Sequence, residues 1–288
     1  LARAQTGWVR ARLAAETGLD ATEVLVTSEG DVSQAALTSF GGQGVFVTAV
    51  REAVVAGRAD VAVHSMKDMP TTTDPRTVIA AVPTREDPSD FVVSAVQRLE
   101  DLPERARVGT GSPRRVAYLK RARPDLEVVG IRGNVDSRVA KVVSGELDAV
   151  VVASAGLHRL GLTPPGFALA PSVMLPAVGQ GALSVEMRAQ DPMLDAVAAL
   201  DDPLARAEVV AERSLLGGLR AGCAAPVGAR ALAQGDELEL RAAVLATDGS
   251  HVYECVISGR LHDAYDIGVN AANELIGQGA GRLLGENR

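Results

Sequence analysis

The stretch RVGTGSPRRVAYLKRARPDLEVVGIRGNVDSRVAKVVSGELDAVVVA, residues 107–153, alternates three apolar strand patterns with two helical ones. The strands are expected at Arg107–Thr110, Leu126–Ile131 and Leu147–Ala153. Gly111-Ser112-Pro113 opens the first helix, with Ser112 as N-cap and Pro113 at the first helical position. Gly133-Asn134 opens the second, with Asn134 as its cap. Strand–helix–strand repetition with continuously apolar strands predicts an α/β lobe built on a parallel sheet covered on both faces.

Working outward, residues 1–18 read as a helix ending near Gly18, and Glu23–Ser28 as a strand. Gly41-Gly42-Gln43-Gly44 is a glycine loop before a helix over Val45–Ala56, followed by strands at Ala59–Val63 and Thr77–Val82. Arg85-Glu86-Asp87-Pro88 and Leu175-Pro176-Ala177-Val178-Gly179-Gln180-Gly181 are two punctuated crossings, and Ala182–Glu186 returns to the first sheet. Two crossings between two α/β lobes make a hinge with a cleft. Leu204–Leu216 is a helix, and three strands (Val227–Ala233, Leu238–Ala246, Val252–Ser258) precede a helix from His262 to Leu284, a small α+β domain. The expected division is 1–86 with 182–200, then 87–181, then 201–288.

The 288 residues are 47% hydrophobic and 23% charged, with a net charge of −7. That balance, with only 3% aromatic residues, argues against nucleic acid as a partner. No apolar run approaches the ~20 residues that span a bilayer. Cys223 and Cys255 are the only cysteines, too few for a disulfide scaffold or a zinc site, which fits a cytoplasmic setting. Nothing in the sequence demands more than a monomer. Against the overall negative charge, residues 105–141 hold ten basic and three acidic residues. A basic segment in an acidic chain points to an anionic ligand.

Within that segment, Arg114 and Arg115 sit at one helix start, and Arg132 and Arg138 flank the other. Cations there oppose the helix dipole, a cost that an arriving anion removes. Arginines are suited to bidentate carboxylate or phosphate recognition. No P-loop lysine follows, so a carboxylate-rich ligand is at least as good a fit as a phosphate. The second candidate cluster is His64-Ser65-Met66-Lys67-Asp68-Met69-Pro70, directly after a strand. Asp68 can stabilise a developing cation or move a proton. Lys67 can pair with it or with a ligand carboxylate, and Ser65 adds a hydrogen bond. His64 reads as a packed, hydrogen-bonded residue and Cys255 as core; Cys223 lies in a glycine-rich loop where a thiol is reachable.

Taken together, Val61–Pro70, Ser112-Pro113-Arg114-Arg115, Arg132-Gly133-Asn134-Val135, Leu175–Gly181 and Gly222-Cys223 with Pro226-Val227-Gly228 resemble the porphobilinogen deaminase (hydroxymethylbilane synthase) family. The resemblance covers nearly the whole chain. It implies two periplasmic-binding-protein-like α/β lobes with a hinge plus a small α+β C-terminal domain. It implies a transferase of tetrapyrrole (heme) biosynthesis that joins four porphobilinogen molecules head to tail with loss of ammonia, then releases hydroxymethylbilane by hydrolysis. The implied cofactor is a dipyrromethane bound through a thioether to Cys223, with no metal. The catalytic aspartate falls on Asp68. Cofactor-binding positions fall on Ser65, Lys67, Asp68, Thr110, Ser112, Arg114, Arg115, Arg132 and Gly133, and substrate-binding positions on Gln5, Arg132, Arg138 and Arg159. Asp31 matches a further family position. The resemblance also places a strand carrying an arginine and a serine shortly before Leu1. The alternatives from other classes are a two-lobe anion- or solute-binding module without catalysis and, less favoured, a phosphate-ester enzyme.

Overall fold

The computed structural model describes residues 1–26, 44–222 and 225–285. The helices in chain order are α1 (Ala2–Thr17), α2 (Gly44–Val55), α3 (Pro113–Ala122), α4 (Val135–Val143), α5 (Ser154–Leu160), α6 (Leu194–Ala198), α7 (Pro203–Gly218) and α8 (Ala264–Gln278). The strands are β1 (Val61–Ser65), β2 (Thr77–Ala81), β3 (Asp90–Ser94), β4 (Arg107–Gly109), β5 (Glu127–Val129), β6 (Ala149–Ala153), β7 (Gly166–Ala168), β8 (Leu183–Arg188), β9 (Val227–Gln234), β10 (Glu237–Leu245) and β11 (Val252–Arg260). The chain divides into two compact units, residues 2–85 with 182–206, and residues 86–181 with 207–288.

In the unit of residues 2–85 and 182–206, β8 lies between β1 and β2, antiparallel to both. Strand 183–188 thus does return to the first sheet. Helix α1 buries Gln5, Val9 and Leu13, spaced four apart on one helical stripe. Val9 and Leu13 pack with Leu183, Val185 and Met187. The entry to α7 belongs to this unit because Asp201 accepts the Val82 N–H and Arg206 donates to the carbonyls of Ile79 and Ala80.

The other unit holds a five-stranded sheet in the order β5-β4-β6-β3-β7. Strands β5, β4 and β6 are parallel, as the strand–helix repetition predicts. The sheet as a whole is mixed, not parallel, because β3 runs antiparallel to both β6 and β7. Ser112 caps α3 by accepting the Arg115 N–H, and Asn134 caps α4 by accepting the Ser137 N–H.

The same unit contains the antiparallel meander β9-β10-β11 with α7 and α8. Strand β10 is buried on both faces over Ala242–Leu245. Leu240, Ala242 and Val244 pack with Leu215 and Leu275, whereas Ala243 and Leu245 join the core of Tyr118, Leu119 and Met174. Period-two alternation along one strand therefore welds the C-terminal domain to the second lobe. The strand expected at residues 23–28 is not seen over 23–26, which pair with no strand among the described residues, and 27–28 lie outside them. Asp31, Cys223 and the glycine loop up to Gln43 also lie outside the described residues.

Candidate active site

Two groups of candidate residues are built by the two units, and each is described by itself.

In the first unit, β1 ends at Ser65 and one turn of 3-10 helix, Met66–Asp68, carries Lys67 and Asp68. Gln5 is buried, and its amide donates to Ser65 Oγ at 2.8 Å, so two expected ligand contacts 60 residues apart meet. Burial pushes the Asp68 carboxyl above its ordinary value, opposed by the electrostatic influence of Lys67 and, after it, His64. His64 is indeed a packed residue: its Nε2 lies 2.9 Å from Glu186 Oε2, and both side chains are buried. Glu186 also accepts from Arg51 Nε at 2.7 Å and Thr77 Oγ1 at 2.6 Å. Burial opposes its charge, but these hydrogen bonds outweigh burial and hold its carboxyl below the ordinary range.

In the second unit, the ends of β4 and β5 face each other through Thr110, whose N–H donates to the Val129 carbonyl. The Thr110 hydroxyl accepts the Ser112 N–H at 3.2 Å. Gly111 leaves room for this approach, since a Cβ there would meet the Ile131 carbonyl oxygen at 2.7 Å.

Arg114 and Arg115 are buried, and the anion that the dipole argument demands is part of the chain. Asp90, at the head of β3, is fully buried. It receives Arg114 Nη1 at 2.7 Å and Arg115 Nε at 2.9 Å. Arg114 also donates to the Leu175 carbonyl and Arg115 to that of Val151. Burial disfavours the Asp90 charge, but the two guanidiniums override it and hold the carboxyl far below the ordinary range. Two cations against one carboxylate leave a positive surplus, and Arg114 Nε is buried without a hydrogen-bond partner.

Arg132 is exposed, with no side-chain hydrogen bond among the described residues. Arg138 is partly buried and donates from Nε to the Gly133 carbonyl at 2.9 Å. Arg159 donates to the Gly181 carbonyl at 2.6 Å. Gly133 adopts φ +108°, and a Cβ there would collide with Ser137 Oγ. Gly133→Ala is therefore expected to cost about 1–3 kcal/mol of stability, read by chemical denaturation; an unchanged midpoint would refute the strain.

The sequence reading did not single out Asp90, Glu186 or Glu212 as site-forming residues. For Glu186 a signal was present: an acid inside an otherwise apolar strand needs a partner. Among the described residues no group of histidine, cysteine or acidic side chains could hold a metal ion. No helix there is long and apolar enough to cross a membrane.

The family model described as "Porphobilinogen deaminase, dipyromethane cofactor binding domain" matches residues 1–196. The one described as "Porphobilinogen deaminase, C-terminal domain" matches residues 206–277. Porphobilinogen deaminase 1 of Streptomyces coelicolor is 47% identical over 302 residues, spanning 99% of this chain and 95% of that protein. Porphobilinogen deaminase of Nocardia farcinica is 48% identical over 298 residues, spanning 99% of this chain and 86% of that protein. That of Mycobacterium tuberculosis is 48% identical over 296 residues, spanning 99% and 95%. Among solved structures, the periplasmic VFT2 domain of Bordetella pertussis BvgS is 18% identical with a TM-score of 0.39, over 68% of this chain and 76% of that chain. On the family-model and sequence matches, the chain belongs to the porphobilinogen deaminase family.

Proposed function

We propose that this chain condenses four porphobilinogen molecules head to tail, releasing one ammonia for each, and then releases hydroxymethylbilane by adding one water. It would act as a cytoplasmic monomer. Porphobilinogen carries an acetate and a propionate, so each added ring brings two more carboxylates, and a surplus of cations is what such a product chain needs. Arg132, Arg138 and Arg159 are the substrate-carboxylate contacts in this reading, with Gln5 holding Ser65 in place.

The chain's own residues fit the dipyrromethane that the family implies. The unpartnered Nε of Arg114 and the net positive Asp90–Arg114–Arg115 cluster suit an anionic group. Ser65, Lys67, Asp68, Thr110, Ser112, Arg114, Arg115, Arg132 and Gly133 would hold it, with Cys223 as the covalent attachment. When bound, that group supplies a tethered primer whose free α-carbon accepts the incoming unit. Asp68 provides negative charge where the substrate's pyrrole nitrogen becomes electron-poor as ammonia leaves, and it takes part in moving the ring proton lost afterwards. The arginines orient the carboxylates and so fix which carbon is presented.

The observation that carries catalysis over simple solute binding is Asp68. A partly buried carboxylate with its pKa pushed up is costly to keep and is suited to proton traffic. The test is stoichiometry: purified protein given porphobilinogen should release ammonia mole for mole with substrate consumed. Reversible porphobilinogen binding without ammonia release would replace this reading with the binding module.

A further inference from the structure

Three buried side chains, Glu212, Gln180 and Asp90, link the C-terminal domain to the arginine pair. Glu212, on α7, is fully buried. Its Oε1 accepts the N–H of Ala231 on β9 at 2.9 Å, and its Oε2 accepts the N–H of Gly179 at 2.7 Å. The next residue, Gln180, is 1% exposed. Its Nε2 donates to the Pro88 carbonyl at 2.7 Å and to Asp90 Oδ1 at 3.0 Å. Its Oε1 receives Arg115 Nη2 at 3.5 Å. Asp90 then holds both guanidiniums. Six residues past Glu212, α7 ends at Gly218 and the chain enters the loop that leads to Cys223.

A carboxylate taken wholly out of water is expensive unless its acceptor sites are filled. Glu212 fills both with backbone donors from two separate segments, so it fixes their spacing more tightly than apolar contact would. Glu212, Gln180 and Asp90 are each hydrogen-bonded at both polar atoms of their side chains, which restricts how they can be arranged. The same helix sets where the Cys223 loop begins.

We infer that Glu212, Gln180 and Asp90 are positioning residues that act as one buried coupler, setting Arg114 and Arg115 in register with the start of the Cys223 loop. This rests on the reading of Cys223 and the arginines as holding the dipyrromethane. The coupler would let the tether and the carboxylate contacts be presented together.

Two readouts on the full-length protein test it. The variants are Glu212→Gln and Gln180→Met, singly and combined, beside Leu275→Ala, a truncation on α8 in the apolar core of the C-terminal domain. In Glu212→Gln, amide exchange is expected to rise at least threefold both in residues 217–222 and at the distant helix start, residues 112–116. In Leu275→Ala it rises only within the C-terminal domain. The rate at which cofactor-free protein gains covalent mass from porphobilinogen is expected to fall at least tenfold in each single coupler variant. The double variant should be no slower than the slower single, because one chain is broken once. Leu275→Ala should load at the wild-type rate even when its thermal midpoint is the lower. Unchanged exchange at 112–116 in Glu212→Gln would overturn the coupler, as would loading that merely tracks thermal midpoint across all variants. Should Gln180→Met fail to fold, Glu212→Gln decides by itself. Wild-type protein that gains no mass defeats the proposed function instead, and the exchange comparison still judges the coupler.

Discussion

Asp68→Asn is expected to lower kcat by about 10²–10⁴-fold, the usual range for a positioned proton-transfer group, without lowering stability at neutral pH. The two halves of that expectation share one cause. Burial raises the Asp68 carboxyl above its ordinary value, and Lys67 and His64 offset this only in part. The fold therefore favours the protonated form. A group whose pKa is raised on folding contributes its stability below the ordinary aspartate value and loses it as pH rises through the raised one. At neutral pH the ionised side chain is carried at a cost, and asparagine, uncharged and nearly the same shape, removes that cost. The thermal midpoint should be equal to or above wild type while turnover collapses. The wild-type rate should also fall on the acid side at a pH above the ordinary carboxylate range, and that limb should vanish from the residual activity of the variant. A marked loss of stability in Asp68→Asn, or near-normal turnover, would contradict this role.

Asp90→Asn should cost the most stability, about 3–5 kcal/mol, because it removes one side of a buried ion pair and leaves the other uncompensated. Here the uncompensated side is two guanidiniums, Arg114 and Arg115, neither of which can shed its proton. The sign of the pH dependence is opposite to that of Asp68. The Asp90 carboxyl is held far below its ordinary value, so its contribution is present above that value and is lost as pH falls toward the lowered one. Wild type should therefore weaken progressively below the ordinary aspartate range, and the denaturation midpoint of Asp90→Asn should change less over that window. A cost under about 1 kcal/mol would mean that solvent or another side chain balances the arginines, against the burial seen here.

Much of this architecture is legible in local chemistry. Ser112 and Asn134 cap their helices because a short polar side chain before an apolar periodic run satisfies orphan N–H groups, and that needs only neighbouring residues. The first helix with its apolar Val9 and Leu13 and the β4, β5 and β6 strands are legible for the same reason. Strand β3 was not, because its first residue is the aspartate that two arginines more than 20 positions later neutralise. Its apolar run is only Phe91-Val92-Val93. The mixed sheet follows from that omission. The sequence pattern at Arg114 and Arg115 points to an arriving anion, whereas the structure places Asp90 of the chain itself against them, which periodicity does not show. Glu212 and Gln180 were opaque for the same physical reason: their partners, backbone N–H groups for Glu212 and the Pro88 carbonyl, Asp90 and Arg115 for Gln180, are brought close only by the tertiary fold. Asp68, by contrast, stood out because a short polar run directly after an apolar strand marks a loop that a rigid sheet presents.

The most direct test of the account is the intact mass of denatured wild-type protein beside that of Cys223→Ser. Wild type is expected to exceed its sequence mass by two linked pyrrole units, or to acquire that excess on exposure to porphobilinogen, and Cys223→Ser is expected to do neither. A wild-type mass equal to the bare polypeptide that stays unchanged with porphobilinogen would contradict it.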